Sequence, residues 1–275
     1  MIGAAVEPPA IELVDIDKRF GPVRANDRVN LTVARGTVHG IVGENGAGKS
    51  TLMSILYGFY EADGGEIRVG GAPVRIRRPA DAIRLGIGMV HQHFMLVDSL
   101  TVVENVVLGA EGGPLLARGL ARARVELARL AADHGLAVDL DARVGDLPVG
   151  LQQRVEILKA LYRGADVLIL DEPTAVLTPA EAKALFGLLR ALRASGRTVL
   201  LITHKLEEIM AVTDRVSVMR RGQMVATLDT TSTSPSALAE LMVGRKVLLR
   251  VEKRPHVPGE PRLKVENLSV VDERG

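Results

Sequence analysis

The segment GENGAGKS, residues 43–50, restricts the fold more than any other part of this 275-residue chain. It matches the pattern G-x-x-x-x-G-K-[ST], and it lies between an apolar run at residues 38–42 and a helical apolar stripe from Leu52 to Phe59. The glycines of such a loop let consecutive backbone N–H groups point inward around phosphate oxygens, and the following helix adds partial positive charge. The sequence therefore predicts a phosphate-binding loop between a buried strand and a helix.

The residue types in this loop suit a bound polyphosphate with a magnesium ion. Lys49 can reach the outer phosphates, and the hydroxyl of Ser50 can ligate magnesium. The residues expected to contact the phosphates and the rest of the ligand are Gly43, Glu44, Asn45, Gly46, Ala47, Gly48, Lys49, Ser50 and Thr51.

A second apolar run, VLILDE at residues 167–172, supplies two acidic side chains. A buried strand that ends at Asp171 places a carboxylate at the carboxyl edge of the sheet, near a magnesium ion bound to the phosphates. Glu172 follows, where it could orient or deprotonate an attacking water. Taken alone, an acid pair after a strand is more often a helix cap or a surface turn. The phosphate loop favours the functional interpretation.

Two further side chains are candidates for the same edge of the sheet. His204 follows the apolar run VLLIT, which places it beside Asp171 and within reach of a γ-phosphate, although a lone histidine after a strand is usually structural. Gln92 is a neutral side chain that could meet the metal or the water. Its neighbours His91 and His93 have a spacing more typical of packing or of the surface than of a metal site.

Apolar runs that alternate with helical patterns indicate an α/β domain with parallel strands. After VLILDE, a helix is signalled by Thr178 as its cap, Pro179 at its first position and Glu181 in a capping box. Further strands are predicted at residues 199–202 and 216–219.

Two other regions have a different character. Apolar and polar residues alternate at residues 29–33, 67–69 and 74–76, which predicts half-exposed strands. From about residue 93 to 165 the pattern is helical, with Thr101 and Glu104 as a candidate capping box, so we predict an inserted helical segment. One helix there, which ends at Gly164, begins after LPVG (147–150) with no side chain suited to cap it.

Composition limits the class of protein. Apolar residues make up 47% of the chain and charged residues 25%, as in globular domains, and a net charge of +2 does not suggest nucleic acid as a partner. The chain has no cysteine, which excludes disulfides and thiolate metal sites. No apolar run approaches the roughly 18 residues of a membrane span, and no signal-peptide pattern is found. We expect a cytosolic chain whose membrane role comes through a partner.

Together these motifs, in this order, resemble the nucleotide-binding subunits of ABC transporters over residues 11–245. The resemblance implies an α/β P-loop ATPase with a RecA-like core, an N-terminal antiparallel β subdomain and an inserted α-helical subdomain at about 93–165. Its cofactors would be ATP and Mg²⁺. It implies that Gln92, Glu172 and His204 act in catalysis, that Ser50, Gln92 and Asp171 hold the magnesium ion, and that Phe20 stacks on adenine.

Within this family, GIGMVHQHFMLVDSLTVVENVVLG and LPVGLQQRVEILKALYRGADVLILDEPTAVLTP are similar to the first half of double-domain subunits from simple-sugar and nucleoside importers. The nucleoside branch is the more similar. This resemblance implies ATP-driven import of a small solute through membrane permease subunits, with an extracytoplasmic solute-binding protein, at the cytoplasmic face of the cell membrane. No nucleic acid is expected as a partner.

In this family each ATP lies between one phosphate loop and the signature segment of a facing domain. The usual Leu-Ser-Gly-Gly-Gln is replaced here by LPVGL (147–151), which lacks the serine hydroxyl. The contacts left for a facing phosphate would be Pro148 and Gly150, at a helix that starts on bare amides. In addition, Thr178 replaces an acid of the usual pattern. We therefore expect two unequal ATP sites and slow hydrolysis by this chain alone.

Residues outside the central domain suggest a longer protein. Residues 1–10 have the character of a loose leader, and residues 246–262 of a linker rich in proline and charge. LKVENLSVVDERG (263–275) echoes IELVDIDKRFG near the start, which predicts the beginning of a truncated second ABC domain. The alternative is a terminal edge strand of this domain.

Three other functions remain open at this point. One is a soluble ABC-type ATPase that acts on nucleic acid or ribosomes without membrane partners, which the near-neutral charge disfavours. Another is a phosphoryl-transfer enzyme or GTPase that shares only the phosphate loop, but no guanine-reading Asn-Lys-x-Asp occurs in the chain. The third is an ATP-binding protein without turnover, which Glu172 and His204 disfavour.

Overall fold

The structure, a computed structural model, describes residues 7–92, 94–110, 116–245, 259–260 and 262–270. In these residues the strands are β1 (Ile11–Phe20), β2 (Val23–Val33), β3 (Val38–Val42), β4 (Gly64–Val69), β5 (Ala72–Val74), β6 (Ile87–Val90), β7 (Val167–Asp171), β8 (Thr198–Ile202), β9 (Arg215–Arg220) and β10 (Gln223–Asp229). The helices are α1 (Lys49–Tyr57), α2 (Pro79–Arg84), α3 (Val102–Val107), α4 (Leu116–His134), α5 (Val149–Tyr162), α6 (Pro179–Ala194), α7 (Leu206–Val212) and α8 (Pro235–Val243).

The central sheet has the strand order β10-β9-β3-β8-β7-β6, and all its neighbouring pairs are parallel except β10 with β9. Strands β3, β6, β7 and β8 are buried along their whole length, as expected for parallel strands covered on both faces. The strands predicted after VLILDE are confirmed. The sequence-based expectation of an α/β fold is therefore confirmed.

A second sheet precedes it, with the antiparallel order β2-β1-β4-β5. It packs its apolar face, which includes Ile11, Leu13 and Val29, against α1 and one face of the central sheet in a shared core. This matches the predicted N-terminal antiparallel subdomain. The half-exposed strands expected between residues 29 and 76 are present, although β5 ends at Val74.

Helices α3, α4 and α5 contact one another and form the inserted helical region. The capping boxes at Thr101 and at Thr178 are both present. The helical region begins later than predicted: residues 94–101 are not helical, because the buried side chain of Asn105 bonds the amide of Val97 at 2.7 Å and its carbonyl oxygen at 3.0 Å.

The predicted apolar stripe of α1 extends too far. Gly58 adopts a left-handed conformation with φ of 86° and ends the helix after Tyr57. Phe59 therefore lies outside the helix, with 46% of its surface exposed. The glycine at the end of the helix, and not the apolar spacing, sets where α1 ends.

The outer segments are only partly described. Ala10 is already buried, and its amide donates to the carbonyl oxygen of Val33 at 2.9 Å, so order begins before the predicted boundary at residue 11. Most of the predicted leader and linker lies outside the described residues. Residues 262–270 form no strand and Leu263 and Val270 are exposed, so no edge strand is found there; the proposed start of a second domain stays a prediction.

The close packing of α7 on the sheet generates a first prediction. A Cβ atom added to Gly40 in β3 would lie 2.6 Å from Cδ1 of Ile209 on α7. We expect Gly40→Ala to lower the free energy of unfolding by about 1–3 kcal/mol, because packed cores accommodate extra atoms poorly. Gly187 in α6 is a matched control, since an added Cβ there meets nothing within 4 Å. Gly187→Ala should raise the same quantity by about 0.5–1 kcal/mol in urea denaturation. Equal effects of the two substitutions would contradict this account of the packing.

A second prediction concerns His39, which is buried in β3 with Nε2 2.8 Å from Oγ of Ser217. Burial, with a smaller effect of Arg215, lowers its pKa from 6.5 to about 4. Below pH 6.5 the unfolded chain takes up a proton that the folded chain does not. We therefore expect the free energy of unfolding to fall by about 3 kcal/mol between pH 6.5 and 4 on account of this residue. Denaturation of His39→Gln over this range should show a shallower pH dependence than the wild type; identical slopes would show that His39 does not titrate in this way.

Candidate functional site

The loop after β3 and the start of α1 border an open cavity of about 640 Å³. Three of the side chains that sequence reasoning placed at the sheet edge, Gln92, Glu172 and His204, line the same cavity. Its lining residues are Val23, Arg24, Ala25, Asn45, Gly46, Ala47, Gly48, Lys49, Ser50, Thr51, Gln92, Glu172, Ala175, His204, Arg221 and Gly222. The structure thus brings Gln92, Glu172 and His204 to the predicted phosphate loop.

Glycine is required at two positions of the loop. Gly48 precedes α1 with φ of 98°, and a Cβ atom there would lie 2.2 Å from the carbonyl oxygen of Ala25. At Gly43 an added Cβ would lie 2.4 Å from the carbonyl oxygen of Met219. The N-cap residue of α1 is Gly48, which has no side chain to bond the first amides of the helix. The loop therefore presents backbone donors and the positive end of a helix to the cavity, which is an arrangement suited to phosphate.

Lys49 folds back over this loop. Its Nζ donates to the carbonyl oxygens of Gly43 at 2.8 Å and of Glu44 at 3.1 Å. Burial lowers the pKa of the Lys49 ammonium group, and the nearby carboxylates of Glu172 and Asp171 oppose that shift. Neutral carbonyls are its only hydrogen-bond acceptors among the described residues, so the ammonium group lacks a directly bonded anionic partner. A phosphate oxygen in the cavity would supply one.

Asp171 ends β7 beside the loop. Burial raises its pKa, while a hydrogen bond with the Ser50 side chain lowers it, and Oδ1 has no hydrogen-bond partner within the described part of the chain. A buried carboxylate oxygen without a partner, next to a hydroxyl, offers hard oxygen ligands of the kind that Mg²⁺ prefers. No group of three or more potential metal ligands occurs among the described residues, but magnesium at a phosphate site commonly uses only one or two protein carboxylates. The residues fit a magnesium ion bound with phosphate.

Glu172 adopts a left-handed conformation, with φ of 47°. For a residue other than glycine this costs of order 1–3 kcal/mol, and the strand pairing holds it, since its amide donates to the carbonyl oxygen of Ile202 at 2.9 Å. Its Oε1 lies 2.9 Å from Nδ1 of His204, whereas Oε2 is buried and has no partner in the described residues. One carboxylate oxygen is thus held by the histidine and the other is left to accept a proton or orient a water.

Gln92 is exposed and lines the cavity, and helix α5 holds the segment that follows it. Glu156 accepts from the amide of Met95 at 2.8 Å, and Lys159 donates to the carbonyl oxygen of Met95 at 2.9 Å. Burial raises the pKa of Glu156, against the opposing charge of Lys159. Sequence reasoning missed Glu156. Its position directly beside Val155, on the buried face of the helix, could have identified it as a buried acid.

Of the two histidines beside Gln92, the described part of the chain includes only His91, which packs against aromatic rings. His91 is half-buried, with ring-centroid distances of 5.9 Å to Tyr57 and 5.3 Å to Phe59. This agrees with the packing interpretation. His93 lies outside the described residues.

Phe20 does not line the cavity. Its ring packs edge-on against Tyr60 at a centroid distance of 5.1 Å, with Nζ of Lys18 5.5 Å from its centroid, and 42% of its surface is exposed. It pairs across the β1–β2 hairpin with Val23, which does line the cavity. Its expected contact with adenine stays a prediction.

Pro148 and Gly150 lie apart from the phosphate loop of their own chain. Pro148 provides no side-chain cap to α5, as predicted. The carboxylate of Glu181 from α6 lies beside Gly150, since a Cβ atom added to Gly150 would be 2.5 Å from Oε1 of Glu181. The amide and hydroxyl of Thr178 lower the pKa of Glu181 most, and the Gly150 amide lowers it further. The expected contact of Pro148 and Gly150 with a facing phosphate stays a prediction.

Several cavity-lining or loop-supporting residues escaped sequence reasoning, among them Asn26, Arg24 and Arg221. Asn26 is fully buried and its Nδ2 donates to the carbonyl oxygen of Gly48 at 3.1 Å. Arg24 and Arg221 lie on hairpins that reach the cavity from two different sheets. Nothing in the local sequence signals them, because they reach the loop only through tertiary packing.

Together, the nucleotide-type phosphate loop, the acidic strand end and the two-sheet architecture define an ATP-binding cassette. The family profile described as "ABC transporter" matches residues 26–175, and the chain belongs to this family. The structure of a nucleotide-free ATP-binding cassette from an ABC transporter superposes with a TM-score of 0.73 at 27% identity, covering 85% of this chain and 98% of that one.

Curated relatives are named for import. Glucose import ATP-binding protein TsgD13 of Haloferax volcanii is 50% identical, with 97% of this chain and 54% of that protein covered. Nucleoside import ATP-binding protein NupA of Lactococcus lactis subsp. cremoris is 49% identical, with 96% and 52% covered. The chain spans about half the length of these relatives. Among the helices of the described residues, none has both the length and the apolar character needed to cross a membrane.

Proposed function

We propose that this chain binds Mg-ATP and hydrolyses it to power import of a small solute through membrane permease subunits. The observation that carries the proposal is the meeting of three strand ends. They bring the phosphate loop and the Glu172–His204 pair to one cavity, with the Asp171 carboxylate beside Ser50 of the loop. For the solute, we propose a nucleoside first and a simple sugar second, in keeping with the names of the relatives.

In the proposed reaction the backbone amides of residues 46–50 and the ammonium group of Lys49 hold the phosphates. Ser50, Gln92 and Asp171 would hold a magnesium ion, which neutralises charge on the phosphate oxygens when bound. Glu172 orients a water and accepts its proton as the water oxygen bonds to the γ-phosphorus. The bond from that phosphorus to the bridging oxygen breaks, and ADP and phosphate leave.

His204 has two tasks in this proposal. Its Nδ1 holds Oε1 of Glu172, which aims the free oxygen Oε2 at the water. The imidazole is also half-exposed on the cavity side, where it can contact the γ-phosphate. Phe20, beside the hairpin that borders the cavity, is proposed to stack on adenine.

A groove beside Gln92 is the proposed docking site for a permease subunit. Its apolar wall includes Phe59 and Met89, and Met95 at its edge is 60% exposed. Glu156 and Lys159, which hold Met95, also line it. A helix of a membrane partner seated there would contact the segment that carries Gln92. In this proposal the chain lies at the cytoplasmic face of the cell membrane, with an extracytoplasmic solute-binding protein on the other side.

The proposal also includes a second ABC domain that faces this one. Pro148 and Gly150 would approach its nucleotide, but the signature lacks a serine hydroxyl and the Glu181 carboxylate lies beside Gly150. The site formed with this signature is therefore the weaker of two. The fact that the relatives are about twice as long as this chain supports a second domain.

A third prediction tests ATP binding and hydrolysis together. In titration calorimetry the chain should bind Mg-ATP, and Lys49→Ala should abolish detectable binding because the buried ammonium group is lost. The chain should hydrolyse ATP slowly, and Glu172→Gln should bind Mg-ATP normally but lower hydrolysis by at least about 100-fold, the range expected for loss of a general base.

Lys183→Ala is the matched control, since Lys183 is exposed on α6, away from the cavity. Its binding and turnover should equal those of the wild type. Unchanged ATP affinity in Lys49→Ala would refute the phosphate site. Rapid turnover by the wild-type chain alone would refute the need for a facing domain.

A further inference from the structure

Helix α7 carries a buried acid close to the catalytic loops. The helix is anchored on the sheet by Ile209, which is fully buried against Gly40 of β3. Glu208, the third residue of the helix, is only 8% exposed, whereas its neighbour Glu207 is exposed. Glu208 does not line the nucleotide cavity. Burial of a carboxylate costs free energy unless the carboxylate is hydrogen-bonded. The hydrogen-bond partners of Glu208 therefore indicate its role.

Each oxygen of this carboxylate bonds a different loop. Oε1 accepts from the hydroxyl of Thr174, which lies two residues after Glu172. Oε2 accepts from the hydroxyl of Thr203 at 3.1 Å, and Thr203 directly precedes His204. Both threonines are buried. Glu208 thus joins the loop after β7 to the loop after β8.

Lys205 completes the cluster. Its Nζ donates to the carbonyl oxygen of Thr174 at 3.2 Å and to the Thr174 hydroxyl at 3.1 Å, and lies 3.4 Å from Oε1 of Glu208. Its amide donates to the hydroxyl of Thr203 at 3.1 Å. An ionised carboxylate only accepts hydrogen bonds, so it matches two hydroxyl donors and an ammonium group better than an amide would.

We infer that Glu208 is a positioning residue, whose carboxylate fixes the separation of the loops that carry Glu172 and His204. It thereby sets the 2.9 Å contact between Oε1 of Glu172 and Nδ1 of His204. The inference rests on the proposed ATPase function, and it adds a residue that touches neither nucleotide nor water. Because neither Glu208 nor its threonine partners line the cavity, they affect the geometry of hydrolysis and not ATP affinity. Small displacements of catalytic groups are known to cost up to about 100-fold in rate.

The first test compares Glu208→Gln with Glu207→Gln in the 275-residue chain. We expect Glu208→Gln to lower kcat for ATP hydrolysis by about ten- to 100-fold with KM and calorimetric Mg-ATP affinity unchanged, whereas Glu207→Gln leaves all three at wild-type values. In a His204→Ala background the Glu208→Gln change should have little further effect, because the contact it positions is already lost. Equal kcat values for the two glutamine variants, or a full additional loss in the His204→Ala background, would overturn the inference.

A second test does not depend on turnover. Hydrogen exchange should be faster in Glu208→Gln than in Glu207→Gln at the amides of Ala175 and Lys205, which the two loops protect through bonds to Glu172 and Thr203. Thr203→Val should increase exchange at the Ala175 amide, which Thr203 does not bond, and Thr203→Ser, which keeps the hydroxyl, should not. Unchanged exchange at Ala175 in Glu208→Gln and Thr203→Val would overturn the positioning role even if ATP is hydrolysed. Faster exchange without ATP binding by the wild type would instead refute the proposed function and leave the positioning role of Glu208 intact.

Discussion

The site depends on the register of three parallel strands. Ile202 at the end of β8 pairs with Ile41 in β3 on one side and with Asp171 in β7 on the other. The loops that follow these strands therefore start at the same edge of the sheet and carry the phosphate loop, Glu172 and His204. A slip of one residue would turn Asp171 to the other face of the sheet. The buried apolar runs fix this register. They therefore also determine where the phosphate loop, Glu172 and His204 lie.

Partly uncompensated charge is what makes this edge suited to a ligand. Burial lowers the pKa of Lys49 and raises that of Asp171, so both charged forms lack the solvation they would have in water. One oxygen of Asp171 and one of Glu172 are buried without partners among the described residues. A polyphosphate with a magnesium ion would supply an anion to the first group and a cation to the acids. The lost solvation of these polar groups destabilises the ligand-free fold. The same loss therefore favours binding of a ligand that supplies new partners.

Local sequence predicted the parts of the site whose geometry is itself local. The phosphate loop, the capping boxes and the strand end at Asp171 follow from residue type and spacing, and their elements are present. Contacts between distant segments could not be read in this way. The Glu181 carboxylate of α6 lies beside Gly150 of α5, and Glu156 of α5 accepts from the amide of Met95 in the segment after Gln92. Both contacts join segments that are distant in the sequence, so local patterns could not predict them.

The most direct test of the account is a crystal structure of this chain with magnesium and a non-hydrolysable ATP analogue. We expect phosphate oxygens at the amides of residues 46–50, Nζ of Lys49 moved from the backbone carbonyls to the outer phosphates, and the metal between Ser50 and Asp171. A nucleotide bound elsewhere, or a Lys49 that keeps its bonds to Gly43 and Glu44 while ATP is bound, would contradict it.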